Sequence, residues 1–256
     1  MNPSGAFERI RIVLVRTSHP GNIGAAARAL GTMGLSRLAL VAPHSFPHAE
    51  ASALAACAGG LLETAKVTRN LDAAVADCTL IMGATARRRG VALPELDPRE
   101  AALAMLAAAQ AGREVAVLFG NERNGLDNDE IQHCHAAITI PSNPACPSLN
   151  LAQAVQVVAW ELRMAALGRT PAQPVAPALT APPEAVPASA AEMEGFFAHL
   201  AQALDEIDFH KGRSPRTILA RLRRLFLRAR PDSREVHVLR GILADVIRTA
   251  RIAHGK

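Results

Sequence analysis

Two polar loops, each following an apolar run, contain residue types suited to holding a ligand. The run VAVLF ends at Gly120, where the missing Cβ allows a sharp turn or a close approach of the backbone to a ligand. A second run, AAITI, leads into PSNPACP, whose three prolines exclude helix and strand pairing and make a stiff loop. We expect the two strands to be adjacent in a parallel sheet, so that both loops leave its carboxyl edge and enclose a crevice. We therefore expect these loops to form a cofactor site.

The same residues also have a purely structural interpretation. Gly120 can serve only as a turn, and Asp127 with Glu130 resembles a capping box that starts a short helix. Ser148 is predicted to be the N-cap of a long apolar helix over 149–167. Taken alone, each structural role is sufficient. The order of the segments favours ligand binding, because a polar NERN turn and a polar proline-rich loop directly follow two buried strands.

The first predicted strand, IRIVLVR, is followed by the loop SHPGNIG and an alanine-rich helix that is expected to end near Gly34. A glycine-containing loop after a first strand raises the possibility of a dinucleotide-binding fold. However, the spacing Gly21-x-x-Gly24 is not G-x-G-x-x-G, and no acidic residue closes the next strand, RLALVAP. A nicotinamide-dependent enzyme is therefore disfavoured.

The helix after this loop is predicted to be amphipathic. If it begins at Ile23, one apolar face is shared by Ile23, Ala27, Leu30 and Met33. Asn22 then precedes the helix, and Arg28 points away from the apolar face. By pattern alone, Arg28 is as well explained as a surface arginine of an amphipathic helix as by a functional role.

Strands alternate with helices over residues 1–168, which predicts an α/β domain with a parallel sheet covered by helices on both faces. Within it, CTLIMG is a strand whose small-residue exit turn, 84–86, is expected to form another wall of the crevice. Residues 169–190 contain six prolines and seven alanines in 22 positions and are predicted to be a linker. Residues 191–256 contain three helical stretches, which predict a small all-helical C-terminal domain.

The net charge of +5 is concentrated in this last segment. Residues 1–190 contain 15 Lys and Arg and 15 Asp and Glu, whereas residues 191–256 contain 13 and 8. This distribution is expected if the C-terminal segment contacts a polyanion, although a solvated basic helix face is the alternative. One predicted helix contains a ridge of arginines: Arg221, Arg223, Arg224, Arg228 and Arg230. The predicted helical core comprises Phe196, Phe197, Leu200, Leu204, Ile218, Leu222, Leu225 and Phe226.

Composition limits the remaining possibilities. The chain of 256 residues is 50% hydrophobic and 20% charged, with no apolar run of about 18 residues and no basic-then-apolar leader. We therefore expect a cytoplasmic protein without a membrane span. The four cysteines, Cys57, Cys78, Cys134 and Cys146, form no CxxC pair and are expected to be reduced. No metal is expected, because no known zinc spacing is matched by His133, Cys134, His135 and Cys146.

Three motifs, HPGNIGAAARAL, FGNERNGL and IPSNPACPSLN, together resemble the SPOUT class of RNA 2′-O-methyltransferases. Within that class, the chain is similar to the tRNA enzymes that methylate the ribose of nucleotide 32 in the anticodon loop, including their tail, here RLRRLFLRARPDSREVHVLRGIL. The resemblance implies a C-terminal trefoil knot and a homodimer with an active site shared between subunits. It also implies transfer of a methyl group from S-adenosylmethionine to a ribose 2′-OH of tRNA, with S-adenosylhomocysteine as product.

Site residues also follow from the resemblance. The implied catalytic residues are Arg28, Ser148 and Asn150, of which Arg28 belongs to the first motif, N-x-G-x-x-x-R. The implied cofactor-binding residues are Ala84, Thr85, Ala86, Leu118, Gly120, Ile140, Pro147, Ser148 and Leu149. The implied RNA-binding residues are Asn22, Arg28, Glu122, Arg221, Arg223, Arg224 and Arg228. Glu122 is expected to anchor the NERN turn or to act as a partner of Asn22 and Arg28.

The chemistry of the guanidinium group constrains the role of Arg28. A guanidinium stays protonated at neutral pH and is a poor base. Arg28 is therefore interpreted as a residue that orients the nucleotide and stabilises the developing alkoxide. Arg87, Arg88 and Arg89 contact RNA phosphate or only solvate their loop, and the sequence does not separate these roles. Cys146 departs from the family pattern, because relatives often have an aromatic residue there.

Two other functions are compatible with the same residues. The first is a 2′-O-methyltransferase of the same class that acts on ribosomal RNA or on another tRNA position. The second is a non-catalytic protein that uses this fold as an RNA-binding platform. The similarity of the tail argues against the first, and the presence of Arg28, Ser148 and Asn150 argues against the second.

Overall fold

The computed structural model describes residues 4–86, 93–169, 186–212 and 214–253. The chain divides into two compact units, Met1–Thr180 and Ala181–Lys256. The three arginines predicted to contact RNA or solvent (Arg87, Arg88, Arg89) and most of the predicted linker (170–185) lie outside the described residues.

The first unit is built on a parallel sheet of seven strands. The strands are β1 (Ile10–Val15), β2 (Arg37–Val41), β3 (Lys66–Thr68), β4 (Leu80–Ala84), β5 (Glu95–Leu96), β6 (Val115–Phe119) and β7 (Ala136–Ile138). They lie in the order β3-β2-β1-β6-β4-β7-β5, and every pairing is parallel. Every residue of β1 and β6 is buried, as expected for central strands covered on both faces. The predicted α/β class is confirmed.

Eight α-helices accompany these strands in the described part of the first unit. They are α1 (Ser4–Phe7), α2 (Pro20–Met33), α3 (Ala49–Ala55), α4 (Gly59–Glu63), α5 (Leu71–Val75), α6 (Pro98–Gln110), α7 (Asn128–Ile131) and α8 (Leu151–Ala166). Among the described residues, no helix is both long and apolar enough to cross a bilayer. The trefoil knot implied by the resemblance stays a prediction.

The strand order corrects one expectation. The strands VAVLF and AAITI are not adjacent, because β4 lies between them. The chain leaves β4, forms β5 and α6, and returns to insert β6 between β1 and β4. This order also differs from the doubly wound dinucleotide-binding order, in which the fourth strand follows the first. Strand pairing depends on non-local contacts, so the apolar runs predicted the strands but not their neighbours.

Two helices begin at residues other than those predicted. The N-cap of α8 is Asn150 rather than Ser148, because the Asn150 side chain accepts the Ala152 N–H at 2.9 Å and Gln153 completes a capping box. Helix α2 begins at Pro20 rather than Ile23, since proline fits the first helical position, and Asn22 is therefore inside the first turn. The predicted apolar face of α2 is otherwise correct, with Ile23, Ala27 and Leu30 buried.

All four cysteines are free thiols, and two of them are buried. Burial raises the pKa of the Cys78 thiol to about 12, which makes it unreactive at neutral pH. The groups considered as zinc ligands have other contacts. The Cys134 Sγ lies 3.7 Å from the Glu130 carbonyl oxygen, and the His135 Nδ1 accepts the Ile81 N–H at 3.1 Å.

The second unit contains the three predicted helices, α9 (Ala190–Glu206), α10 (Pro215–Ala229) and α11 (Ser233–Ala253). Phe196 of α9 and Phe226 of α10 pack edge to face, with ring centroids 4.7 Å apart. Leu225 was predicted to be in the core but is 47% exposed, and Leu227 is buried instead. The described end of the predicted linker packs on this unit, where Ala188 is buried and donates its N–H to the Pro231 carbonyl at 2.9 Å.

Candidate active site

A cleft lies at the carboxyl ends of β4, β6 and β7, three neighbouring strands of the sheet. One wall is the turn 84–86 after β4, the second is the NERN turn after β6, and the third is formed by Ile140 and the segment 147–149 after β7. The cleft has a volume of about 820 Å³, including its open mouth. Because parallel strands end at the same edge of a sheet, three loops that are distant in sequence meet there.

Eight of the nine residues proposed to bind cofactor line this cleft, namely Ala84, Thr85, Ala86, Gly120, Ile140, Pro147, Ser148 and Leu149. Leu118 does not line it, because its side chain is fully buried in the sheet core, whereas the next residue, Phe119, does. Successive side chains of a strand point to opposite faces, which explains the difference between these neighbours. Arg123, which is not among the residues predicted to bind cofactor, also lines the cleft, and its place in the polar NERN turn is the sequence signal for it.

Gly120 is required by the shape of the NERN turn. A Cβ at this position would lie 2.1 Å from the Gly125 carbonyl carbon and 2.1 Å from the Leu126 nitrogen. The turn is closed by the Gly125 N–H, which donates to the Asn121 carbonyl at 2.7 Å, and Gly125 has a positive φ of 65°. The backbone at the floor of the cleft is therefore packed too closely for any side chain.

Glu122 joins the NERN turn to helix α2. Its carboxylate accepts the Ser18 N–H at 2.9 Å, the His19 N–H at 3.1 Å and the Asn22 Nδ2 at 2.9 Å. The Asn22 Oδ1 in turn accepts the Asn150 Nδ2 at 2.9 Å. These hydrogen bonds connect the loop after β1, the turn after β6 and the start of α8. Residues from all three sequence motifs therefore form one network beside the cleft.

The same hydrogen bonds set the protonation of Glu122. Burial raises the pKa of the Glu122 carboxyl, but the hydrogen bonds from Asn22 and from two backbone N–H groups outweigh burial and hold it below its ordinary value. A carboxyl whose pKa is lower in the folded state stabilises the fold above its ordinary pKa. This contribution is lost as the pH falls through the lowered value.

Replacing Glu122 by glutamine should therefore weaken the pH dependence of stability in acid. We expect Glu122→Gln to reduce the free energy of unfolding at pH 7 by about 1 kcal/mol, a modest value because the carboxylate is only half-buried. The difference from wild type should shrink as the pH falls below about 4. Denaturant unfolding at pH 7 and at a pH below about 4 measures this difference. The control is Glu63→Gln, because Glu63 is an exposed glutamate. Equal pH dependence in Glu122→Gln and wild type would contradict the proposed role.

The three residues implied to be catalytic occupy different positions relative to the cleft. Ser148 lines it, on an exposed loop held in shape by the Ser142 hydroxyl, which donates to the Pro147 carbonyl at 2.9 Å. Asn150 is beside it, at the start of α8. Arg28 is on the exposed face of α2 and does not line the cleft of its own chain. Within the described residues, the Arg28 guanidinium has no ion-pair partner.

The cleft is better suited to positioning a ligand than to acid–base catalysis. Its lining combines backbone groups of two turns with small and apolar side chains. The charged side chains that line it in the described part of the chain are those of Glu122 and Arg123, and the Glu122 carboxylate already accepts three hydrogen bonds. A transfer reaction that depends on alignment of two bound reactants fits such a site.

The arginines of α10 do not form a single ridge. Arg221, Arg224 and Arg228 share one face at helical spacing, and Arg221 and Arg228 are exposed. Arg223 faces α9 instead, where it pairs with Glu194 at 2.9 Å and lies 4.6 Å above the Phe197 ring. The prediction that Arg223 is available to RNA phosphate is therefore corrected, because its guanidinium is paired with Glu194 within the helical unit.

The fold and the cleft define a class of methyltransferase. Residues 9–160 match the SpoU rRNA Methylase family, and the chain belongs to that family. Residues 191–255 match a second family, the C-terminal domain of the tRNA methyltransferase TrmJ. Both compact units therefore have a counterpart among known proteins.

Similarity to TrmJ proteins extends over nearly the whole chain. The chain is 45% identical to the tRNA (cytidine/uridine/adenosine-2'-O-)-methyltransferase TrmJ of Pseudomonas aeruginosa, over 96% of each protein. It is 47% identical to the tRNA (cytidine/uridine-2'-O-)-methyltransferase TrmJ of Klebsiella pneumoniae, over 94% of this chain and 97% of that protein. The crystal structure of TrmJ from Z. mobilis ZM4 matches with a TM-score of 0.79 at 36% identity, covering 92% of this chain and 98% of that one.

Proposed function

We propose that this protein methylates the ribose 2′-OH of cytidine or uridine at nucleotide 32 of tRNA, in the cytoplasm, with S-adenosylmethionine as methyl donor. The observation that carries the proposal is the similarity to TrmJ methyltransferases over both units, at 45–47% identity. The C-terminal match is important here, because it separates this chain from members of the family that lack that domain.

The cleft fits the proposed cofactor. Small and apolar side chains, among them Ala84, Ala86 and Ile140, can contact an adenosine ring, and the close backbone packing at Gly120 leaves N–H and C=O groups free of side-chain cover. Pro147 and Leu149 would close the other side. When bound, S-adenosylmethionine supplies a methyl group on a sulfonium that is open to attack by a hydroxyl. No metal ion is needed for such a displacement.

The protein then has to align a ribose hydroxyl with that methyl group and exclude water. Ser148, which lines the cleft, and Asn150, the N-cap of α8, would orient both reactants. The Arg28 guanidinium would orient the nucleotide and stabilise the alkoxide that develops as the hydroxyl passes its proton to a phosphate oxygen or to water, while the sulfur leaves as S-adenosylhomocysteine. Because Arg28 is outside the cleft of its own chain, this role requires a homodimer in which each Arg28 serves the cleft of the other copy.

The exposed face of α10 is proposed to contact the tRNA backbone. The double substitution Arg221→Gln with Arg228→Gln should weaken tRNA binding and lower the slope of log Kd against log salt by about 1.4–1.8, if each arginine contacts one phosphate. The Kd for S-adenosylmethionine should not change. Fluorescence anisotropy with labelled tRNA at several salt concentrations measures this effect.

The matched control removes two positive charges from the edge of the sheet opposite the cleft. Arg9 and Arg113 lie just before β1 and β6, at the amino ends of the strands, whereas the cleft is at the carboxyl ends. Arg9→Gln with Arg113→Gln should leave the salt slope unchanged. If both double variants lose the same affinity, only the net charge matters and α10 is not the RNA-binding face.

The substrate is tested with transcripts that differ in a single atom. Purified protein, tritiated S-adenosylmethionine and a tRNA transcript should give a 2′-O-methyl mark that mass spectrometry maps to nucleotide 32. The same transcript with 2′-deoxyribose at nucleotide 32 should accept no methyl group. A mark at another nucleotide, or on ribosomal RNA only, would support the related methyltransferase instead. Absence of transfer to any RNA would support a non-catalytic RNA-binding role.

A further inference from the structure

Arg16, the residue after β1, lies outside the three sequence motifs but contacts both α7 and the NERN turn, which lines the cleft. Its guanidinium contacts Asp127 Oδ2 at 2.6 Å and Glu130 Oε1 at 2.6 Å. These two carboxylates form the capping box of α7, in which each accepts a backbone N–H of the other residue. A single guanidinium thus pairs with both acidic groups of the box.

The capping box depends on this charge. The Glu130 side chain is only 10% exposed, and burial raises the pKa of its carboxyl. A buried carboxylate needs a charged partner as well as hydrogen bonds, because desolvation disfavours the ionised form. Without the guanidinium, Asp127 and Glu130 would place two like charges side by side in the first turn of α7.

The start of α7 is connected to the floor of the cleft through backbone packing. Gly125 and Leu126 immediately precede the capping box. Their backbone atoms pack so closely against Gly120 that there is no room for a Cβ there. Arg16 also acts on the NERN turn directly, since its carbonyl accepts the Asn121 Nδ2 at 2.7 Å. Arg16 also has a positive φ of 52°, which is uncommon for a residue other than glycine.

We propose that Arg16 is a positioning residue for cofactor binding, acting through the α7 capping box on the NERN turn. This inference depends on the proposed function, because it assigns the cleft to S-adenosylmethionine. It adds a residue that none of the three motifs contains. The effect should appear in cofactor affinity, because the NERN turn lines the cleft, whereas the Arg16 side chain contacts α7 and does not line it.

The test compares Arg16→Ala and Arg16→Lys with wild type. We expect Arg16→Ala to raise the Kd and KM for S-adenosylmethionine roughly tenfold, while kcat at saturating cofactor and KM for tRNA stay near wild type. Arg16→Lys should recover part of the loss, because an ammonium keeps the charge but cannot bind two carboxylates in the same fork geometry. Calorimetry and steady-state kinetics provide the two readouts, and circular dichroism confirms that each variant is folded.

Arg9→Ala is the matched control, since it removes an arginine that pairs with Glu114 at 3.0 Å at the other end of β1. It should leave cofactor affinity unchanged. The inference is overturned if Arg16→Ala binds S-adenosylmethionine as tightly as wild type, if Arg9→Ala loses as much affinity, or if KM for tRNA rises in parallel. If wild-type protein binds no S-adenosylmethionine, the proposed function itself fails, and this inference fails with it.

Discussion

Replacing Arg28 by alanine should reduce methyl transfer by about 10²–10³-fold, while the Kd for S-adenosylmethionine stays within about twofold of wild type. The reason is geometric. Arg28 is exposed on α2 and contributes nothing to the cleft of its own chain, so the cofactor site of the variant is intact. What is lost is the guanidinium that stabilises the developing alkoxide. Single-turnover kinetics and calorimetry separate the two quantities, and Arg28→Lys tests whether charge alone is sufficient.

Equal turnover in Arg28→Ala and wild type would remove Arg28 from the mechanism. Loss of cofactor affinity in this variant would contradict the assignment of the cleft to the loops of one chain. Either outcome is decisive, because the substitution removes an exposed side chain and should change the stability of the fold little.

Gly120→Ala should have the second large effect, on cofactor binding. The new Cβ would meet the Gly125 carbonyl carbon and the Leu126 nitrogen, each at 2.1 Å, and both are backbone atoms that cannot move independently. Displacement of the NERN turn should raise the Kd for S-adenosylmethionine about 100-fold and lower the melting temperature by several degrees. Calorimetry and thermal unfolding measure the two effects.

Gly60→Ala is the appropriate control for that substitution. Gly60 lies in α4, where an added Cβ meets nothing within 4 Å, so the change should not alter cofactor binding. Normal cofactor affinity in Gly120→Ala would mean that the ligand does not contact this turn.

The two variants can also be combined to test the shared active site. In a mixed dimer, the cleft of the Arg28→Ala subunit is intact and the Gly120→Ala subunit supplies an intact Arg28. Random mixing of equal amounts should restore about a quarter of wild-type activity, because half of the dimers are mixed and each has one complete site. If the mixture is as inactive as either variant alone, Arg28 acts within its own chain or not at all.

Local interactions made part of the fold predictable. The helix start at Asp127 was recognisable because a capping box needs only residues three positions apart, and the box with Glu130 is present. The apolar runs likewise marked the strands, since buried strands need continuous apolar residues. The position of β4 between β6 and β7 was not predictable, because strand order depends on contacts between residues distant in sequence.

The candidate site was predictable mainly through resemblance to a family. The apolar runs and turn residues identified the glycine turn, the proline-rich loop and the turn 84–86 as walls of one crevice, but not that β4, the strand before 84–86, would lie between the other two strands. Two residues have surroundings other than those expected. Leu118 faces the core instead of the cleft because of strand alternation, whereas Arg223 pairs with Glu194 of another helix, a contact that the local sequence does not reveal.

The most direct test of the central claim is a crystal structure of the protein with S-adenosylhomocysteine. We predict that the ligand lies against the backbone of Gly120, between the turn 84–86 and the segment 147–149, with Arg28 from a second copy facing its sulfur. A ligand bound outside this cleft, or a complete site formed by a single chain without Arg28 nearby, would contradict that claim.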